Sequence, residues 1–252
     1  MDKLIDLEGK HILITGASSG IGRETTLHLS RLGAKVSVVA RRENELKNLC
    51  ETLSGEGHRY FRFDLTDISG IPPLVKDIVA GGGPLDGFVH CAGITVNRPL
   101  KMFSFADEHK VMLVNYYSFV EISKIISRRG NFNRGMSIVA ISSISSVLCR
   151  QGQLTYSSSK AALNAAVKCM ALELSEKGIR VNAILPAMIK TAMYEEHKER
   201  YDRDDDFFKK GGAMGAGEPL DVANMVAFLL SDMARFVTRD EIELTGGYYG
   251  QL

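Results

Sequence analysis

Short runs rich in apolar and β-branched residues recur along the chain at 11–15, 36–40, 60–63, 88–91, 138–141, 181–185 and 242–244. They are almost continuously apolar instead of alternating, the pattern of strands covered on both faces. Between them lie longer stretches of helical periodicity at 21–32, 43–53, 68–80, 107–129, 155–177 and 219–231. Strands alternating with helices predict an α/β fold, a doubly wound parallel sheet of seven strands with helices on both faces. Gly33 and Gly178 sit where two of the helices should close. The run Gly81-Gly82-Gly83-Pro84 reads as a flexible connection, and about 193–217 mixes charge with a glycine-rich exit, as a substrate lid or a solvated surface loop would.

A length of 252 residues suits one domain of this layered kind. The formal charge of +1 gives no footprint for nucleic acid, and no apolar stretch approaches the roughly 20 residues that span a bilayer. With no basic-then-apolar opening of a signal peptide, the expected location is the cytoplasm. Cys50, Cys91, Cys149 and Cys169 are far apart and lack any histidine at ligand spacing, so buried free thiols are expected, with neither disulfides nor a metal site.

The segment 12–22 runs from an apolar strand through Gly16, Ser18, Ser19, Gly20, Ile21 and Gly22 into a helix. Glycines there admit tight backbone and close approach of a ligand, and the helix start aims its unpaired N–H groups at an anion. In the first βα unit of a Rossmann-like sheet, that anion is a cofactor pyrophosphate. The spacing is G-x-x-x-G-x-G. With Thr15 in front it resembles the T-G-x-x-x-G-I-G of short-chain dehydrogenases.

At the end of the second strand, NAD would call for an acidic residue on its ribose hydroxyls. The chain instead has Ala40-Arg41-Arg42. Guanidinium groups match the 2′-phosphate in geometry and charge, so the expected cofactor is NADP(H). The plainer alternative is two surface arginines opening a helix.

Tyr156 and Lys160 are four apart and so share one helix face. An ordinary phenol titrates near pH 10, and an adjacent ammonium favours the phenolate, making the pair a candidate general acid and base. Ser143 ends a predicted strand thirteen positions before the tyrosine, where its hydroxyl would donate to a substrate oxygen. Ser142 and Ser145 read as structural. Asn115 lies inside a predicted helix, where asparagine is a mediocre former, and reads by itself as a buried amide satisfying backbone groups.

Together these motifs make the chain resemble the single-domain short-chain dehydrogenase/reductase family over about 7–247. The resemblance implies hydride transfer between nicotinamide and a ketone or secondary alcohol, with Asn115, Ser143, Tyr156 and Lys160 as the catalytic group and Asn115 holding a water that links the lysine to solvent. It also implies that Asp64 and Leu65 meet the adenine, that Ala92 and Gly93 lie under the cofactor, that Pro186, Ile189 and Thr191 border the nicotinamide, and that Lys160 holds its ribose. Closest in look are the 3-oxoacyl-(acyl carrier protein) reductases, whose carrier-binding basic positions match Arg134 and Lys177. A pair beside the active-site mouth would steer an acidic carrier. A homotetramer is implied as well, with helices 107–129 and 155–177 pairing through Ala162, Ala165 and Ala166. Steroid, polyol or sugar dehydrogenases on the same scaffold, or a non-catalytic NADP-binding regulator, stay open. His90-Cys91 replaces the usual N-N of N-N-A-G, Ala187 follows Pro186 in place of glycine, Thr245 precedes Gly246-Gly247 in place of aspartate, and Arg239 stands where glycine is frequent.

Overall fold

The computed structural model describes residues 4–196 and 213–247. Seven strands, β1 His11–Thr15, β2 Lys35–Ala40, β3 Arg59–Arg62, β4 Leu85–His90, β5 Phe132–Ile141, β6 Arg180–Pro186 and β7 Glu241–Leu244, form one parallel sheet in the order β3-β2-β1-β4-β5-β6-β7. The winding reverses between β1 and β4. In such sheets the chain ends diverge there and leave a crevice at the carboxyl edge.

Among the described residues, seven helices with both ends described cover the sheet: α1 Gly20–Arg31, α2 Glu43–Glu51, α3 Ile71–Gly82, α4 Phe105–Met112, α5 Ser118–Ile126, α6 Leu154–Leu174 and α7 Pro219–Leu230. Alternate strand residues feed two apolar cores. Leu13, Phe88 and Ile138 pack beneath α3, α5 and α6, while Ile12, Ile14, Val89 and Val139 pack beneath α1, α2 and α7. This two-sided burial is why the strands read as unbroken apolar runs. No helix among the described residues is long and apolar enough to cross a membrane.

Several boundaries move from the sequence reading. The helix expected at 68–80 starts at Ile71, because Pro72 and Pro73 fit a helix only in its first turn. It runs through Gly81 and Gly82, which are thus helical and not a flexible connection. A Cβ on Gly82 would sit 2.2 Å from the His11 ring, so the glycine is there for close packing. The helix expected at 107–129 is interrupted: α4 and α5 are joined by a π turn, Leu113–Tyr117, centred on Asn115. Strand β5 begins six residues earlier than its apolar run, since its exposed start, Asn133 to Gly135, carries no apolar signal. The cysteines are free, but the expectation that all are buried fails: Cys149 and Cys169 are exposed, the latter on the outward face of α6. The possible lid falls mostly at 197–212, outside the described residues.

Candidate active site

Beyond β1 the chain turns at Gly16, with φ +70°, and enters α1. A Cβ on Gly16 would lie 2.7 Å from the Ala92 nitrogen, and one on Gly22 would lie 2.4 Å from the Gly16 oxygen. Only glycine lets turn, helix and the end of β4 meet this closely. Ser19, the N-cap of α1, makes no side-chain cap, and the first turn holds no acidic residue. The helix start therefore keeps its N–H groups and partial positive charge for an anion.

A cavity of about 400 Å³ opens over this turn at the carboxyl edge of the sheet, within the size range of small-molecule sites. Every expected cofactor residue lines it: Gly16, Ser18, Ser19, Gly20, Ile21 and Gly22 of the turn, Arg41 and Arg42 after β2, Asp64 and Leu65 after β3, Ala92 and Gly93 after β4, and Pro186, Ile189 and Thr191 at and beyond the end of β6. A glycine cradle at a helix start with two guanidinium groups across from it fits a phosphorylated dinucleotide.

The two arginines differ. Arg42 donates from Nη2 to the Ser18 hydroxyl at 3.0 Å and carbonyl at 3.2 Å, bracing the glycine-rich turn. Arg41 is exposed at the cavity wall. The Asp64 carboxyl is held below the usual carboxylate range, mainly by the Thr66 backbone N–H, with the Arg41 charge adding to the effect.

Ser143, Tyr156 and Lys160 line the same cavity. Ser143 follows β5, is 8% exposed, and its Oγ accepts the Ser145 N–H at 3.1 Å, which leaves the hydroxyl hydrogen to donate. Ser142 donates to Asn164 Oδ1, whose amide donates on to Ser146 at 3.0 Å, so the end of β5 is fastened to α6. Lys160 is buried beneath Tyr156, with Nζ 5.8 Å from the ring centroid and donating to the Ile141 carbonyl at 2.7 Å. Burial lowers its pKa to about 8.

Asn115 does not line the cavity. It is wholly buried, accepts the Ile94 N–H at 2.9 Å, and donates to the Ile94 carbonyl at 3.0 Å and to Ser159 Oγ at 2.9 Å. Ser159 in turn donates to the Tyr156 carbonyl at 2.7 Å. The side-chain amide ties the loop after β4 to α6, with both amide hydrogens donated and Oδ1 accepting once.

His90 is wholly buried, and burial pushes the Cys91 thiol up to about 12, which keeps it in the neutral thiol form at neutral pH. Ala187 needs no glycine, because its φ is not positive, and its N–H donates to the Leu244 carbonyl at 3.0 Å. Arg239 keeps the glycine conformation without the glycine, with φ +68°. Among the polar residues on the cavity wall that were not anticipated are Asn97, Arg150 and Gln153. They come from two loops that converge only in three dimensions.

Arg134 and Lys177 do not flank the cavity mouth of this chain. Arg134 lies near the start of β5 and Lys177 beyond the end of α6, whereas Ser143 and Tyr156 lie at the opposite ends of the same elements. Seven residue steps along the strand separate Arg134 from Ile141, roughly 23 Å at strand rise. Lys177 Nζ donates to the Ser127 carbonyl at 3.0 Å, capping the end of α5.

A family model described as enoyl-(acyl carrier protein) reductase matches residues 16–249. The chain is 32% identical to a 3-oxoacyl-[acyl-carrier-protein] reductase of Salmonella typhimurium, over 97% of this chain and 99% of the relative. It is 31% identical to an L-xylulose reductase of Caenorhabditis elegans, over 96% and 97%. A solved structure of a putative short-chain alcohol dehydrogenase from Sinorhizobium meliloti superposes with a TM-score of 0.89 at 28% identity, covering 98% of both chains. With the glycine-rich turn, the serine, the tyrosine and the lysine gathered on one cavity of the same fold, the chain belongs to the short-chain dehydrogenase/reductase family of oxidoreductases.

Proposed function

We propose that this protein is an NADPH-dependent carbonyl reductase acting on a 3-oxoacyl thioester. The observation that carries the reading is the shared cavity: Ser143, Tyr156 and a buried Lys160 face the same space as a glycine-rich turn and two arginines. When bound, the reduced nicotinamide supplies the hydride. The chain's residues do the rest. The Ser143 hydroxyl donates to the substrate oxygen and orients the carbonyl, a form of stabilisation aimed at charge that develops in the transition state. Tyr156 gives its phenolic proton to that oxygen, and the Lys160 ammonium beneath the ring favours the phenolate that remains. The Asn115 clamp holds α6, and so Tyr156, against the loop after β4.

Full-length similarity to 3-oxoacyl-(acyl carrier protein) reductases supports the thioester. Nearly equal identity to an L-xylulose reductase supports a second reading, a polyol or sugar reductase. The experiment is loss of NADPH absorbance with purified protein against acetoacetyl thioesters, sugar ketones and steroid ketones. Turnover of the thioester at least tenfold above the others in kcat/KM is the expected result. Preference for a sugar ketone replaces the first reading with the second, and tight NADPH binding without turnover of any ketone makes the protein a regulator.

A further inference from the structure

His90 closes β4 at the winding reversal, where the usual residue of the motif would be asparagine. Its register partners are Thr15 on β1 and Ala140 on β5. Both are small, which leaves room on that face of the sheet for an imidazole packed under Phe119, at 5.5 Å between ring centroids. His90 is 0% exposed, and its Nδ1 lies 2.9 Å from Thr15 Oγ1. The other nitrogen, Nε2, is buried and makes no hydrogen bond within the described residues. The backbone of Val114 and Asn115, in the π turn, lies close enough to favour the protonated ring, the sign of nearby carbonyl oxygens.

We propose that His90 is a positioning residue that braces the cofactor-binding turn, through Thr15, against the π turn that carries Asn115. The inference rests on the oxidoreductase reading above. Carbonyls only accept, so Nε2 carries the ring proton, and Nδ1 accepts the Thr15 hydroxyl. The ring spans the reversal point, hydrogen-bonded to Thr15 beside the glycine-rich turn on one side and packed on Phe119, next to the turn whose asparagine fixes Ile94 and Ser159, on the other. Burial, with the Lys160 charge adding, lowers the imidazole to about 3, so the strut stays neutral at any working pH. Phe119 and Phe88 fix its plane. A shift of the π turn would be felt through Ser159 at the backbone of Tyr156, and misplacement of about 1 Å in a reacting group costs as much as about 10²-fold in rate.

The test uses the full chain with its side-chain imidazoles labelled for ¹⁵N NMR, together with NADPH dissociation constants and steady-state kinetics on any ketone the wild type reduces. The His90 ring should stay in the neutral Nε2–H form from about pH 5 to 9, and Thr15→Val should move its Nδ1 resonance. A ring that titrates near 6.5, or one in the Nδ1–H form, overturns the proposal. His90→Phe and Thr15→Val should each lower kcat about tenfold and weaken NADPH binding severalfold, and the double variant should be no worse than the weaker single, as expected for two members of one link. His90→Asn, which keeps a donor and an acceptor, should recover most of the loss. Additive losses, or a lowered Tm with kcat and the NADPH dissociation constant unchanged, overturn it. If His90→Phe does not fold, Thr15→Val decides alone, since it keeps the shape and removes only the hydroxyl. A wild type that turns over no ketone refutes the proposed function and not this link, which the NMR and cofactor binding still judge.

Discussion

Arg42 grips Ser18 through both the hydroxyl and the carbonyl oxygen, at 3.0 and 3.2 Å, and its neighbour Arg41, exposed like it, stands on the same cavity wall. On the proposed NADPH reading the two guanidinium groups divide the work: Arg42 shapes the glycine-rich turn and Arg41 meets the 2′-phosphate. Arg41→Ala should weaken NADPH about ten- to a hundredfold, equivalent to losing about 1.5–3 kcal/mol of charge-assisted hydrogen bonding, and spare NADH. Arg42→Ala should weaken both cofactors alike by a few fold. Dissociation constants from NADPH and NADH fluorescence check this, and equal wild-type affinity for the two cofactors would refute the assignment.

Tyr156→Phe removes one hydroxyl and keeps the ring that covers Lys160. Turnover should fall by at least about 10²-fold, the usual contribution of a general acid, with NADPH binding retained. Lys160→Met should damage both, since the ammonium lies on the cofactor cavity and beneath the phenol. Stopped-flow single turnovers with saturating cofactor separate the two effects. A Tyr156→Phe protein that keeps most of its kcat identifies the wrong acid.

The rate should depend on pH through Lys160, whose burial lowers its pKa to about 8. Below that value the side chain is an ammonium and supports proton donation by Tyr156; above it the charge is lost. The kcat/KM for carbonyl reduction should therefore be flat at neutral pH and fall about tenfold per unit well above pH 8. A profile that stays level to pH 10 contradicts the role given to the lysine.

Arg239 holds φ +68° where glycine would be unstrained. A left-handed backbone costs a side-chain-bearing residue about 1–2 kcal/mol, partly offset by the extra freedom glycine gains in the unfolded chain. Arg239→Gly should stabilise by about 1 kcal/mol, or about 2–4 °C in Tm for a chain of this size. Calorimetry measures it, and a lowered Tm would mean that the arginine side chain contributes more than the strain removes.

The outward face of α6 presents Ala161, Ala165 and Cys169, with Leu172 61% exposed, and Phe105 at the start of α4 is 83% exposed. Apolar surface of this kind on two helices is expected to be covered by a second copy of the chain. Ala165→Arg should place a charge in that contact and reduce the mass seen by light scattering at micromolar concentration. A monomeric wild type would end the oligomer reading.

The strand and helix order, the parallel sheet and the turn, tyrosine, lysine and serine were all legible in the chain. Each is encoded locally: a covered strand is an apolar run, a phosphate turn needs glycines at fixed spacing, and i, i+4 on a helix sets two side chains side by side. The tertiary structure decided what depends on segments distant in sequence. It broke the helix at Asn115 into a π turn and spent that amide on Ile94 and Ser159, contacts 21 and 44 positions away. It separated Arg41 from Arg42 by a hydrogen bond to Ser18, 24 positions back. It also removed Arg134 and Lys177 from the mouth of this chain's cavity, because each sits at the far end of the element that carries a reacting residue. Spacing along one strand or helix follows from its regular rise and pitch; which side chains meet across elements is set by packing, and no local pattern records it.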